Sequence, residues 1–218
     1  MPLRFVAFDM DGTLVNVASS WAAVHEHFGV HNADGLRRFL ANEIDDHEFI
    51  RSDIRIWWRA DPDLTLETID RILAEVPLMP GAHALVDALH ARGVRTAIVS
   101  GGIDLLARRI GRELGIDLVL ANGFRTSSDG RLTGEGIVRV PINDKERVVR
   151  ELQAQLGVAP PETAAVGNSA IDVGMFRRSR VGVAFLPEDD AVRRAATHVV
   201  AVRDLAKVLD ALEPFPAP

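Results

Sequence analysis

Six short apolar runs constrain this chain more than any other feature. Leu3–Phe8, Arg95–Val99, Leu118–Ala121, Thr163–Val166, Val181–Ala184 and His198–Val200 are nearly continuous in apolar residues and too brief to be ordinary helices. A strand buried on both faces requires that pattern, and a parallel sheet covered by helices provides the burial. Helical patterns separate the runs, at Ala82–Ala91, Asp104–Leu114, Lys145–Leu156, Ala170–Arg178 and Asp204–Leu212. The first three stop at Gly93, Gly115 and Gly157, where glycine accepts the left-handed conformation that closes a helix. Strand alternating with helix predicts an α/β fold with a doubly wound, mostly parallel Rossmann-like sheet.

Two stretches break the alternation. Residues 17–77 contain no strand run and read as several helices carrying Trp21, Trp57 and Trp58. They are expected to form a helical cap inserted after the first strand, leaving residues 1–16 and 78–213 as the core. In residues 123–140, Ser128-Asp129-Gly130 is a turn signal between two β-like runs, so a hairpin is expected. The prolines of residues 214–218 predict a flexible tail.

Composition narrows the function. No cysteine is present, which removes disulfides, thiol catalysis and cysteine-ligated zinc. A formal charge of −6 argues against nucleic acid or an anionic membrane as the main partner. No apolar run is long enough to span a bilayer, and Met1–Phe8 lacks the features of a secretory signal, so a cytoplasmic location is expected. Monomer and homodimer both remain open.

Four clusters carry chemistry. Asp9 and Asp11 follow the first strand, and ligands of open α/β sheets bind at the carboxyl ends of strands. Two carboxylates this close repel each other unless a cation lies between them, and a hard ion such as Mg²⁺ suits oxygen ligands. Gly12 permits a tight turn, and Thr13 is placed to cap the element after it. Ser100-Gly101-Gly102 follows the second strand and opens a helix, an arrangement that suits an anion. Lys145 is one of only two lysines in an arginine-rich chain, and it opens a helix, where the dipole opposes it; another partner is implied. Asn168 and Asp172 follow the fourth strand, four residues apart. Each cluster alone also reads as an ordinary cap or turn.

Taken in order, Asp9-x-Asp11, Ser100, Lys145 and Gly167-x-x-x-x-Asp172 resemble the four motifs of the haloacid dehalogenase-like superfamily of phosphohydrolases. The Asp129–Gly134 hairpin and Ser100-Gly-Gly resemble its phosphoserine phosphatase branch. The resemblance implies a Mg²⁺-dependent phosphomonoesterase acting on a small phosphorylated metabolite. Asp9 would be the nucleophile that forms an aspartyl phosphate, and Asp11 the general acid and base. Asp9, the carbonyl of Asp11 and Asn168 would hold Mg²⁺; Ser100, the Gly101 N–H and Lys145 would hold phosphate; Asp172 would orient Lys145 or a metal-bound water.

This chain departs from the family twice. Asn168 stands where Asp is usual, which predicts weaker Mg²⁺ binding that Asn168→Asp should strengthen. Ala18 stands where a glutamate would meet the substrate's amino group. Phosphoserine is the first candidate substrate, with phosphoglycolate or another carboxylated phosphate as alternatives. In the cap, Arg51, Arg55 and Arg59 share one helix face. Arg55, with Phe49 nearby, is the candidate for a substrate carboxylate, and Trp21 reads as cap packing. A phosphotransferase or mutase, an inactive phosphate-binding protein and a receiver-like signalling module are the competing classes.

Overall fold

In the computed structural model, residues 1–212 are described, so the expected tail at 214–218 lies outside the described residues. Seven strands form one sheet in the order β4-β3-β2-β1-β5-β6-β7. They are β1 (Phe5–Phe8), β2 (Arg95–Ile103), β3 (Leu118–Thr126), β4 (Leu132–Ile137), β5 (Thr163–Gly167), β6 (Val181–Phe185) and β7 (His198–Val200). All neighbours are parallel except β3 and β4, whose antiparallel pairing is the expected hairpin. Gly130 turns it at φ +82°. Because β1 lies between β2 and β5, the chain winds outward in both directions from β1, and the crevice opens at the carboxyl ends of these three strands.

Between β1 and β2 run α1 (Ser20–His27), α2 (Ala33–Leu40), α3 (Asp46–Ala60), α4 (Leu66–Ala74) and α5 (Ala82–Ala91). The later helices are α6 (Asp104–Leu114), α7 (Lys145–Leu156), α8 (Val173–Arg177), α9 (Asp190–Ala195) and α10 (Val208–Leu212). No helix of the described residues is long and apolar enough to cross a membrane. The patterns at Ala170–Arg178 and Asp204–Leu212 resolve into a 3₁₀ turn followed by a five-residue helix in each case. One carboxylate oxygen each of Asp172 and Asp204 accepts from nearby backbone N–H groups there, which tightens the turn.

One continuous apolar cluster joins one sheet face to the inserted helices. It runs from Val6 and Ile98 to Ile50, Ile54 and Trp57. The second sheet face packs Phe5, Ala97, Val99 and Ala165 against Val148, Val149 and Leu152 of α7. Helix α3 rests on the β4 hairpin strand, where a Cβ on Gly136 would lie 2.7 Å from Ile50 and one on Gly134 2.8 Å from Trp58. Glycine at both positions lets the helix approach the strand closely.

Two local expectations are corrected. Thr13 caps no helix: its hydroxyl is buried without a partner, residues 10–15 form turns closed on the Met10 carbonyl, and α1 begins only at Ser20. The second strand also does not stop at Val99. It continues through Ser100-Gly101-Gly102 to Ile103, with a shift of register against β3, so the glycines lie in irregular strand and α6 comes directly after.

Asn122 fixes the route into the site. It is 1% exposed, and its Oδ1 accepts from the N–H groups of Arg139 and Val140 while its Nδ2 donates to the carbonyls of Val140 and Gly101. It thereby ties β3 to the segment leading into α7 and to the glycine strand. Asn122→Ala leaves three backbone groups short of a partner, the N–H groups of Arg139 and Val140 and the Val140 carbonyl, so a loss of ~2–4 kcal/mol is expected in denaturant unfolding. A loss below ~0.5 kcal/mol would contradict the assignment.

Candidate active site

The four expected clusters converge at the crevice. Asp9 leaves the end of β1, Ser100 lies at the register shift of β2, and Asn168 follows β5. All three line one cleft, together with Asp11, Gly101 and Glu188. Lys145 is fully buried beneath it. Its Nζ donates to Asp9 Oδ1 and Asp172 Oδ1, both at 2.7 Å. The partner that a lysine on a first helical turn calls for is therefore a pair of aspartates. Asp144 caps α7 by accepting from the Arg147 N–H, which places Lys145 as the first helical residue, facing the sheet.

Asp172 is 0% exposed and uses both oxygens: Oδ1 holds Lys145, and Oδ2 accepts from the N–H groups of Asn168 and Ser169. Gly167 makes room, since a Cβ there would come within 2.5 Å of the Asp172 side chain. Asp172 thus locks the lysine and the post-β5 turn together.

Asp11 sits at the lip of β1. Its Oδ2 accepts from both the N–H and the hydroxyl of Ser20, each at 2.8 Å, while Oδ1 is buried with no hydrogen-bond partner. Ser20 in turn accepts from the Ile103 N–H, so α1, the DxD turn and the end of β2 meet at one hydroxyl. Gly102 allows this meeting, because a Cβ would lie 2.7 Å from Asp11 Oδ2 and 2.8 Å from Ser20 Oγ.

Burial and crowding shift the titrating groups. Burial pushes Asp9 up to about 6, with Lys145 opposing and Asp172 adding to the rise. Burial and then the neighbouring Asp9 charge push Asp11 up to about 7. Burial disfavours the charge of Lys145, yet Asp172 and Asp9 hold it above the ordinary lysine range. Lys145 is therefore a permanent cation between two carboxylates.

Asn168 is the most informative departure. Its Nδ2 donates to Glu188 Oε1 at 3.0 Å, and the Glu188 N–H donates back to the Asn168 carbonyl at 2.8 Å. An amide beside a carboxylate must present its amino group, which turns Oδ1 the other way. Burial, then Asp172 and Asp189, raise the pKa of Glu188. Among the described residues no cluster of three or more His, Cys, Asp or Glu side chains forms a metal cage. The available donors are the Asp9 carboxylate, the Asn168 amide oxygen and backbone carbonyls, and Asp11 leaves Oδ1 buried and unpartnered. An all-oxygen set with net negative charge and one unsatisfied buried carboxylate oxygen fits a hard divalent cation.

The cap residues divide. Phe49 lines the cleft and stacks on Phe39 at 4.8 Å between ring centroids. Arg55 is not among the lining residues; it is 57% exposed and paired with Glu48 at 3.0 Å. Arg51 binds Glu48 and Glu135 on the same outer face. Trp21 is more than cap packing. It stacks on Trp57, donates from Nε1 to the Gly101 carbonyl at 3.0 Å and lines the cleft. Sequence reasoning missed Ser20, Asn122 and Glu188. Only Ser20 left a signal, as one of two serines at a helix start.

Known proteins share this fold. The model of the haloacid dehalogenase-like hydrolase family matches residues 6–177, and the chain belongs to that family. Within it, the chain is similar to phosphoserine phosphatases. It is 32% identical over 184 residues to one from Archaeoglobus fulgidus, covering 84% of this chain but 52% of the relative, so it spans about half of that protein's length. It is 30% identical to one from Streptococcus thermophilus, with 95% of each chain covered. A solved phospho-aspartyl intermediate analogue of phosphoserine phosphatase superposes with a TM-score of 0.81 at 25% identity, covering 97% of this chain and 100% of that one.

The raised carboxyl groups have a consequence for stability without a cation. Between about pH 4 and pH 7 the folded protein holds protons on Asp9 and Asp11 that the unfolded chain has released, so unfolding free energy falls as pH rises through that window. In chelator, the thermal midpoint of the parent protein is expected to fall from about pH 5 to about pH 8 by ~5 °C more than that of Asp11→Asn. Equal slopes for the two proteins would contradict the burial-driven shift.

Proposed function

We propose that this protein is a Mg²⁺-dependent phosphomonoesterase that works through an aspartyl phosphate on Asp9, in the manner of the phosphoserine phosphatases it resembles. The observation that carries the reading is the setting of Asp9. Its carboxylate lies at the switch point of the sheet with one oxygen held by Lys145, in a cleft it shares with a second, protonatable carboxylate. A carboxylate held by a single rigid cation is fixed in direction, which positions it for in-line attack.

In this reading Asp9 forms the P–O bond as the ester's alcohol leaves, and Asp11 gives its proton to the departing oxygen. Asp11 then takes a proton from the water that attacks phosphorus, which releases phosphate and restores the Asp9 carboxylate. A pKa of about 7 lets Asp11 serve in both directions near neutrality. Lys145 has three donors and spends two on carboxylates, which leaves one for a phosphoryl oxygen. The Ser100 hydroxyl and the Gly101 N–H line the same space and suit the remaining oxygens. Asp9, the Asp11 carbonyl and Asn168 would hold Mg²⁺, whose charge offsets repulsion between the carboxylate and an anionic ester.

Asp9→Asn is expected to lower kcat for phosphate esters by ~10⁴-fold, and Asp11→Asn by ~10²–10⁴-fold, both with folding intact by circular dichroism. Parental turnover by Asp9→Asn would refute the reading. The Glu188 contact bears on the expected effect of Asn168→Asp. A carboxylate at 168 would face Glu188 without its hydrogen bond, and a cation relieves that repulsion, so Asn168→Asp should tighten Mg²⁺. By calorimetric titration, Asn168→Asp is expected to bind Mg²⁺ ~10-fold more tightly than Asn168→Asp/Glu188→Gln. Equal affinities would show that the two side chains act independently.

A further inference from the structure

The wall of the cleft opposite the acidic floor is apolar and carries no cation. The cleft measures about 400 Å³, in the range of a ligand well beyond inorganic phosphate. Trp21, Leu36, Phe39, Leu40, Phe49 and Ile171 contribute to its lining. Leu40 is 70% exposed, Leu36 48% and Ile171 36%, and only six large hydrophobic side chains of the described residues are exposed at all. Half of them therefore gather at this one opening, and exposed apolar side chains grouped this way mark a binding surface. Trp21 has spent its N–H on the Gly101 carbonyl and turns only ring surface to the space.

Charge points the same way. No Arg, Lys or His is among the lining residues. Lys145 is buried on its two aspartates, and Arg55 and Arg51 are engaged by Glu48 on the outer face of α3. A substrate carboxylate entering the cleft would lose water and meet no counter-charge. An α-ammonium group fares no better on the wall, where Ala18 offers a methyl group and the remaining acid, Glu188, is engaged with Asn168.

Resting on the phosphomonoesterase reading, we infer that the preferred substrate is the phosphate monoester of an apolar alcohol, alkyl or arylalkyl, rather than of a zwitterionic or carboxylated one. The phosphate meets the floor formed by Asp9, Ser100 and Gly101, with the Lys145 ammonium beneath it, and the hydrocarbon lies along Trp21, Phe49 and the leucines of α2.

The test measures kcat/KM in Mg²⁺ for primary alkyl phosphates (ethyl, butyl, hexyl and 2-phenylethyl) beside phosphoserine and phosphoglycolate. All the alcohols are primary, so the series reports binding more than leaving-group strength. The value is expected to rise ~3-fold per methylene from ethyl to hexyl, and 2-phenylethyl phosphate to exceed phosphoserine by ~10-fold or more. Leu40→Ser, at an exposed position where folding is not at stake, should shrink the hexyl-to-ethyl ratio ~3-fold. A phosphoserine value at or above that of the apolar esters, or no dependence on chain length, overturns the inference and leaves the phosphatase reading standing. Failure to hydrolyse any of the esters takes both down, through a different result.

Discussion

A buried ammonium group between two buried carboxylates organises this molecule. Lys145 joins the end of β1, through Asp9, to the turn after β5, through Asp172, and it does so from the first residue of α7. Lys145 and Asp172 have no water to fall back on and Asp9 has little, so each is tolerable only while the others stay in place. The trio carries one net negative charge at the base of a cleft, which is what a site for a cation and a phosphoryl group needs. Asp172 adds the backbone of Asn168 and Ser169 to the same network, so the residues that face the cleft are held by those that lie beneath it.

Much of this was legible in the sequence because burial on both faces of a sheet leaves a compositional mark. The apolar runs located six of the seven strands, and the turn signal at Ser128–Gly130 pointed to the hairpin that adds β4. Asp9, Asp11, Ser100, Lys145 and Asn168 each stood just past a strand or at a helix start, where side chains are carried to the crevice. Residues whose meaning depends on pairing were not legible. Glu188 matters because β6 lies beside β5, which brings its loop against Asn168, twenty positions earlier in the chain. Asn122 reads as a polar interruption until the chain at Arg139 and Val140 folds back onto it. Arg55 carried the right charge, but periodicity gives a face and not a partner, and Glu48 two turns earlier takes it. Thr13 looked like a cap, yet a run of bonds to the Met10 carbonyl closes the chain into turns before any helix can start.

The inserted helices do not sit apart from the site. Trp21 binds the carbonyl of Gly101, Asp46 at the start of α3 accepts from the Ile142 N–H, and Ser20 clamps Asp11 to Ile103. Each contact links a helix of residues 20–60 to a strand end or to the segment that delivers Lys145. Together with the shared apolar cluster, they make the position of the helices a determinant of the geometry at Asp9 and Asp11.

The central claim is that Asp9, held by Lys145, becomes transiently esterified to phosphorus. Acid quenching during steady-state turnover, followed by borohydride reduction and peptide mass spectrometry, reads this directly, because reduction of an acyl phosphate converts the aspartate to homoserine. The account predicts homoserine at position 9 and unmodified aspartate at position 11. Rapid turnover with no modification at position 9, or modification at another carboxylate, would contradict it.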